Sequence, residues 1–261
     1  MTARVTVEKD GAVLLIGINR PEKRNAFDLQ TITEFAAAYQ QLGDDPSVRA
    51  GVVFGHGDHF SAGLDLSEVG PAVAEKGPQA LGGDSKYDPF GVWGPQVPKP
   101  VVMAVSGIAF TLSIELALAS DIVIATKTVR FRQLEVGRGI LPFGGATMRA
   151  PARLGWGNAM RFLLTGEEFG HAEALRIGLV QEVVEAGQHV ERAKAIAQLI
   201  AKQAPLGVQG TLANARLYEA QGAAEAKAHL SQLLGQVMSS EDAVEGMMSF
   251  VERREAEFKG K

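Results

Sequence analysis

The chain has no cysteine among its 261 residues. That excludes disulfides, thiolate nucleophiles and cysteine-ligated metals outright. No apolar run reaches the roughly eighteen residues that a membrane span needs. No Lys/Arg-rich block stands out against a net charge of −4, which argues against nucleic acid or an anionic membrane as the main partner. Three signatures of nucleotide and hydrolase chemistry are also missing: Gly-x4-Gly-Lys-Ser/Thr occurs nowhere, no Gly-x-Gly-x-x-Gly opens a helix, and Gly-x-Ser-x-Gly is absent. Met1-Thr2-Ala3-Arg4-Val5 runs straight into a strand-like pattern, without a basic-then-apolar signal segment. The expectation is a soluble cytoplasmic protein.

The remainder is the composition of a globular protein, 46% hydrophobic and 21% charged, and the length suits one large domain or a domain with an appendage. Arg4 to Lys9 alternates, Asp10-Gly11 offers a hairpin turn, and Ala12 to Ile18 reads as a buried strand. Asp28 can cap a helix with Ile32, Phe35, Ala36 and Tyr39 on one face. Asp44-Asp45-Pro46 ends it, and Ala50 to Phe54 is the next strand. Strand Val101 to Val105, a helix from about Phe110 to Ser120 and strand Asp121 to Ala125 repeat the unit. The fold class is therefore α/β with crossovers.

From Ala146 onward the pattern is mostly helical. Segments Ala146 to Leu154, Trp156 to Leu164 and His171 to Gly178 precede a short strand, Gln181 to Val184. Val190 to Gln203, Leu206 to Gln221, Ala223 to Met238 and Ser240 to Lys259 follow as helices, the last capped by Ser240. The chain divides into a body, residues 1–200, and a helical region, 201–261, too thin to bury itself alone. Ser67 to Lys99 is long, rich in Gly and Pro, and carries Tyr87, Phe90 and Trp93. It reads either as a lid closing over a substrate or as a surface excursion whose aromatics pack on themselves.

Two acids stand in settings that suggest acid/base chemistry. Glu115 lies in a helix that is apolar on every side, where an unpaired carboxylate is costly. Glu135 follows the strand-like pattern Thr128 to Arg132 and opens the glycine-rich run Val136 to Gly145. Phe60-Ser61-Ala62-Gly63-Leu64-Asp65-Leu66 comes off a strand end, where ligand loops of open α/β folds sit. Its small residues let a backbone approach a ligand, and its N–H groups can hold a negative oxygen. His56, Asp58 and His59 share a loop without a clear third ligand, so no metal site is expected.

Asn19-Arg20-Pro21-Glu22-Lys23-Arg24-Asn25-Ala26, taken with Phe60 to Leu66, resembles the crotonase (enoyl-CoA hydratase/isomerase) superfamily. Val105-Ser106-Gly107 leading to Glu115 and on to Ala125 carries the same likeness. So do Phe131-x-x-x-Glu135 leading to Gly144-Gly145, and Thr165 to Phe169 leading to Gly178-Leu179-Val180. The resemblance runs through essentially the whole chain in order.

The resemblance implies a crotonase-like spiral of strand-strand-helix turns, with a C-terminal helical region that builds homotrimers, often paired into homohexamers. It implies an acyl-CoA thioester as substrate, with coenzyme A part of that substrate and no separate cofactor. The thioester oxygen would be held by the N–H groups of Leu64 and Leu112. CoA would lie along the Arg24–Ala26 loop and the turn Ala62, Gly63, Leu64, Asp65 and Leu66, with Lys23 or Arg24 near its phosphates. Glu115 and Glu135 stand where hydratases of the family carry their catalytic pair, one acting as base toward water and one delivering the α-proton. The implied reaction is hydration of a trans-2-enoyl-CoA to a 3-hydroxyacyl-CoA. The alternatives are a Δ3-Δ2-enoyl-CoA isomerase and a non-catalytic acyl-CoA- or RNA-binding relative.

Three departures bear on the substrate. The family usually has two or three glycines before the first glutamate, where this chain has Phe110-Thr111-Leu112-Ser113. Bulky Phe110 and Leu112 are expected to line or narrow the acyl pocket, or to reshape the backbone around the second donor. Leu134 replaces the usual proline before the second glutamate, and Arg138 stands where an apolar residue is common.

Overall fold

A computed structural model describes residues 3–81 and 85–261. Strands β1 (Val5–Asp10) and β2 (Val13–Ile18) pair antiparallel across the expected Asp10-Gly11 turn. Helix α1 (Leu29–Asp44) is capped by Asp28, whose carboxylate accepts the Thr31 N–H at 2.7 Å. The helix buries the predicted stripe Ile32, Phe35, Ala36 and Tyr39. Strand β3 (Ala50–Gly55) then lies parallel to β2.

Two departures from the sequence reading follow. Ser67 to Lys99 does contain regular structure, helix α2 (Leu66–Lys76) and a 3-10 turn at Pro78–Leu81. Pro71 inside α2 removes one helical hydrogen bond and is the reason the pattern reads as a loop. Tyr87 and Phe90 are 8% and 2% exposed and belong to the main core, so they neither close over a cleft nor pack only on each other. Gly82, Gly83 and Asp84 of this excursion, like Met1 and Thr2, lie outside the described residues.

Strand β4 (Val101–Val105) leads to β5 (Ile108–Phe110), α3 (Leu112–Ala119), β6 (Ile122–Thr126) and β7 (Arg130–Arg132). Phe110 thus ends a strand and does not begin the helix. A 3-10 turn at Glu135–Arg138 follows, then α4 (Ala146–Leu154), α5 (Trp156–Thr165), β8 (Phe169–Gly170), α6 (His171–Arg176) and β9 (Glu182–Val184). Four helices complete the chain: α7 (His189–Ala201), α8 (Pro205–Gln221), α9 (Ala223–Met238) and α10 (Glu241–Glu252). The last is shorter than expected. Arg253 turns left-handed with φ 57°, and the Asp242 carboxylate accepts the N–H groups of Lys259 and Gly260, folding the chain end back.

One sheet has the order β1-β2-β3-β4-β6-β9, parallel throughout after the first pair, and a second has the order β5-β7-β8. A Ser61–Ala109 bridge extends the second sheet toward the segment after β3, and a Phe27–Leu64 bridge carries the pattern to the segment after β2. Each turn of chain therefore gives one strand to the large sheet and one extended stretch to the small one before a helix. This is the strand-strand-helix spiral that the resemblance implied.

The pleat divides the large sheet's side chains between two cores. Val101, Met103 and Val105 face α1 and α3, while Val102 and Ala104 face Ala193, Ala197 and Ala201 of α7. Alanines at four-residue spacing let that helix lie close on the sheet. The C-terminal helices are tied to the body by Arg216, which donates to the Val97 carbonyl at 2.7 Å and pairs with Asp121 at 3.2 Å. Helix α8 has no buried residue of its own. Among the described residues no helix is long and apolar enough to cross a membrane.

Candidate active site

The spiral brings three sequence-distant segments to one cleft. The turn after β3 supplies Ala62, Leu64 and Leu66, and the start of α3 supplies Thr111, Leu112 and Glu115. The segment after β7 supplies Leu134, Glu135, Arg138, Ile140 and Phe143. The strand ends of both sheets position these walls, because Phe110 N–H donates to Ser61 O at 3.0 Å and Thr111 N–H to Arg132 O at 2.8 Å.

Every residue of α3 is buried, so Glu115 is carried into the core and is 3% exposed. Its Oε1 accepts the N–H groups of Gly144 at 2.7 Å and Ala146 at 3.2 Å. These donors open α4, and a helix start favours a nearby negative charge. Burial nonetheless pushes the carboxyl up to about 7, with the charge of Glu135 adding to the effect and the two N–H groups and Arg149 opposing it.

Glu135 begins the 3-10 turn and is 7% exposed. Its Oε1 accepts from Gln133 Nε2 at 3.0 Å, while its buried Oε2 has no hydrogen-bond partner among the described residues. Burial raises this carboxyl as well, against the opposing pull of the backbone N–H groups of Glu135 and Leu134 and of the Gln133 amide. The cleft thus holds two carboxyls shifted toward neutral pH, one braced by backbone donors and one with a free oxygen. Such a pair suits proton transfer in both directions.

Among the described residues, the N–H groups of Leu64 and Leu112 donate to no protein acceptor, and both residues line the cleft. Their neighbours hold them in unusual backbone. Gly63 has φ +97°, and a Cβ there would lie 2.0 Å from Thr111 Oγ1. Thr111 itself has φ 50° and ψ −110°, a conformation that glycine adopts freely and a β-branched residue adopts at a cost. The glycine-free stretch before Glu115 therefore keeps a glycine-like backbone. Leu112 and Thr111 line the cleft, whereas Phe110 does not, contrary to the expectation that it narrows the pocket.

The remaining predicted binding residues sit beside the cleft. Lys23 and Arg24 are exposed, and Arg24 O accepts the Ala62 N–H at 2.9 Å. Ala26 is half-buried on the same loop. Asp65 is not free for a ligand: its carboxylate pairs with Arg20 at 2.9 Å and accepts from Ser67 Oγ at 2.6 Å. Arg20 and Asn25, which the sequence singles out for no role of their own, fix this loop. Asn25 is fully buried and its amide donates to the His56 and His59 carbonyls at 2.8 and 2.7 Å. His56 Nε2 pairs with Thr6 Oγ1 at 2.7 Å, and His59 Nδ1 accepts the Ile108 N–H at 3.3 Å. Among the described residues no three His, Asp or Glu side chains gather as a metal-binding group.

The chain matches the family model described as enoyl-CoA hydratase/isomerase over residues 8–261. It is 34% identical to the short-chain-enoyl-CoA hydratase of Clostridium acetobutylicum, covering 97% of this chain and 96% of that protein. It is also 34% identical to the carnitinyl-CoA dehydratase of Proteus mirabilis, covering 96% of each. The crystal structure of a probable enoyl-CoA hydratase/isomerase from Mycobacterium abscessus is similar with a TM-score of 0.94 at 50% identity, over 99% of both chains.

Proposed function

The chain belongs to the enoyl-CoA hydratase/isomerase family, a family that acts on acyl-CoA thioesters, and on that premise we propose that it hydrates trans-2-enoyl-CoA to 3-hydroxyacyl-CoA. The observation that carries this reading is the pairing of two buried glutamates, from separate elements, on one cleft with two unpartnered backbone N–H groups.

The thioester oxygen accepts from Leu64 and Leu112, which makes carbon 3 electrophilic. Preorganised donors of this kind stabilise the enolate that forms when oxygen adds, by a few kcal/mol. Glu115, whose charged form is favoured by Gly144 and Ala146, takes a proton from water as the water oxygen bonds to carbon 3. The electron pair of the double bond moves to carbon 2 and the thioester. Glu135, through its free Oε2, delivers a proton to carbon 2. CoA extends past the Ala62–Leu66 turn toward Lys23 and Arg24.

The test follows the ultraviolet absorbance of the conjugated thioester with crotonyl-CoA and longer 2-enoyl-CoAs. Loss of absorbance with formation of 3-hydroxyacyl-CoA supports the hydratase. Turnover of 3-enoyl-CoA alone replaces it with the isomerase, which needs one carboxylate and no added water.

The reading extends to assembly. The C-terminal helices present apolar side chains to solvent, including Met238 at 63%, Phe250 at 85% and Val251 at 72% exposure. Exposed groups of this size are covered in a homotrimer or homohexamer. Sedimentation at several concentrations checks this, with a monomer at all of them contradicting it.

A further inference from the structure

We propose that the cleft takes an acyl-CoA whose acyl chain ends in a carboxylate, and that Arg138 binds that carboxylate. The inference rests on the hydratase reading in one respect, the seating of the thioester at Leu64 and Leu112. Arg138 is the one cationic side chain lining the cleft among the described residues. Arg130, Arg153, Arg161, Arg176 and Arg192 each pair with a glutamate. Among the described residues no acid pairs with Arg138, and it is exposed, so packing does not account for its presence there.

Its placement fits a substrate contact. Glu135 and Arg138 are the first and last residues of one 3-10 turn. Side chains three apart on such a turn project from the same side, about 6 Å apart along its axis. Both residues line the cleft, so the Arg138 side chain and the carboxyl proposed to protonate carbon 2 meet the same bound acyl group. Leu134, Ile140 and Phe143 on the same wall are apolar and suit the methylene groups between.

The CoA portion approaches from elsewhere. The Lys23–Ala26 loop is bonded to the turn after β3 through Ala62 N–H to Arg24 O and Phe27 N–H to Gly63 O. Arg138 belongs to the turn after β7, a different segment from the one expected to meet the phosphates. A guanidinium matches a carboxylate through two parallel hydrogen bonds, which distinguishes this end group from a methyl. The substrate class is a short 2-enoyl-CoA with a terminal carboxylate, as in glutaconyl-CoA.

Calorimetric titration of the whole protein with glutaryl-CoA and butyryl-CoA tests this, since both are saturated and neither can be hydrated. The wild type is expected to bind glutaryl-CoA about tenfold to a hundredfold more tightly, the range for a charge-assisted contact. Arg138→Gln removes the preference, and Arg138→Lys retains part of it. Equal affinities in the wild type overturn the proposal. So does an Arg138→Gln variant that weakens both thioesters by one factor, because Arg138 then serves the CoA phosphates. A protein inactive on every 2-enoyl-CoA overturns the hydratase reading without altering these affinities.

Discussion

Gly144 and Glu115 are in contact twice over. The Gly144 N–H donates to Glu115 Oε1 at 2.7 Å, and a Cβ on Gly144 would lie 2.5 Å from Glu115 Oε2. The absence of a side chain at 144 is what lets the backbone reach the carboxylate. Gly144→Ala should push Glu115 out of position while leaving its chemistry intact. Misplacement of a reacting group by about 1 Å costs on the order of a hundredfold in rate. Steady-state hydration of crotonyl-CoA should therefore fall mainly in kcat, and an unchanged kcat would show that this contact does not position Glu115.

A second prediction concerns the segment that presents Leu112. Thr111 stands at φ 50° with its hydroxyl against Gly63, so Gly63→Ala should be destabilising by about 1–3 kcal/mol through overpacking and left-handed strain. Thr111→Gly removes both the backbone strain and the obstructing hydroxyl. It should recover part of the loss in the double variant and raise stability on its own. Urea midpoints for the two single variants and the pair measure this, and strictly additive effects would contradict the contact.

Glu115 also makes stability depend on pH. Burial raises its carboxyl from 4.5 to about 7, so the folded chain holds this proton where the unfolded chain has released it. The stabilisation is complete below about pH 4.5, declines as pH rises, and is gone above about pH 7, amounting to about 3 kcal/mol at its fullest. Glu115→Gln is neutral throughout. Wild-type stability relative to this variant should fall between about pH 4.5 and 7 in urea titrations. A difference that stays flat across that window would place the carboxyl at its ordinary value. If Glu115 must be charged to accept a proton from water, kcat/KM should rise with pH through the same region near 7.

The fold was legible where physical signals agreed. The Asp10-Gly11 turn and the Asp28 cap with its apolar stripe are local patterns with one stable reading. The limits are equally specific. Ile108 to Phe110 is apolar and Thr111 is not glycine, so nothing in the residues announces that a strand ends at Phe110 and the backbone turns left-handed at Thr111. Pro71 disguises α2, and the return of the chain end onto Asp242 depends on a contact seventeen residues away in sequence.

The site divides in the same way. Glu115 could be singled out because a carboxylate in an all-apolar helix is costly, and its burial bears that out. That Glu135 shares its cleft depends on the parallel pairing of β5 with β7, which no local pattern encodes. The roles of Arg20 and Asn25 are not legible locally, because Asp65 and the His56 and His59 carbonyls, which they hold to this loop, lie more than thirty residues downstream.

In the proposed hydration Glu115 and Glu135 share the two proton transfers. The most direct measurement of this sharing is kcat for crotonyl-CoA hydration by Glu115→Gln and Glu135→Gln, each checked for native folding. Each variant is expected to lose about 10²–10⁴ in kcat, the range for removing a general acid or base. Full hydratase turnover in either one would contradict it.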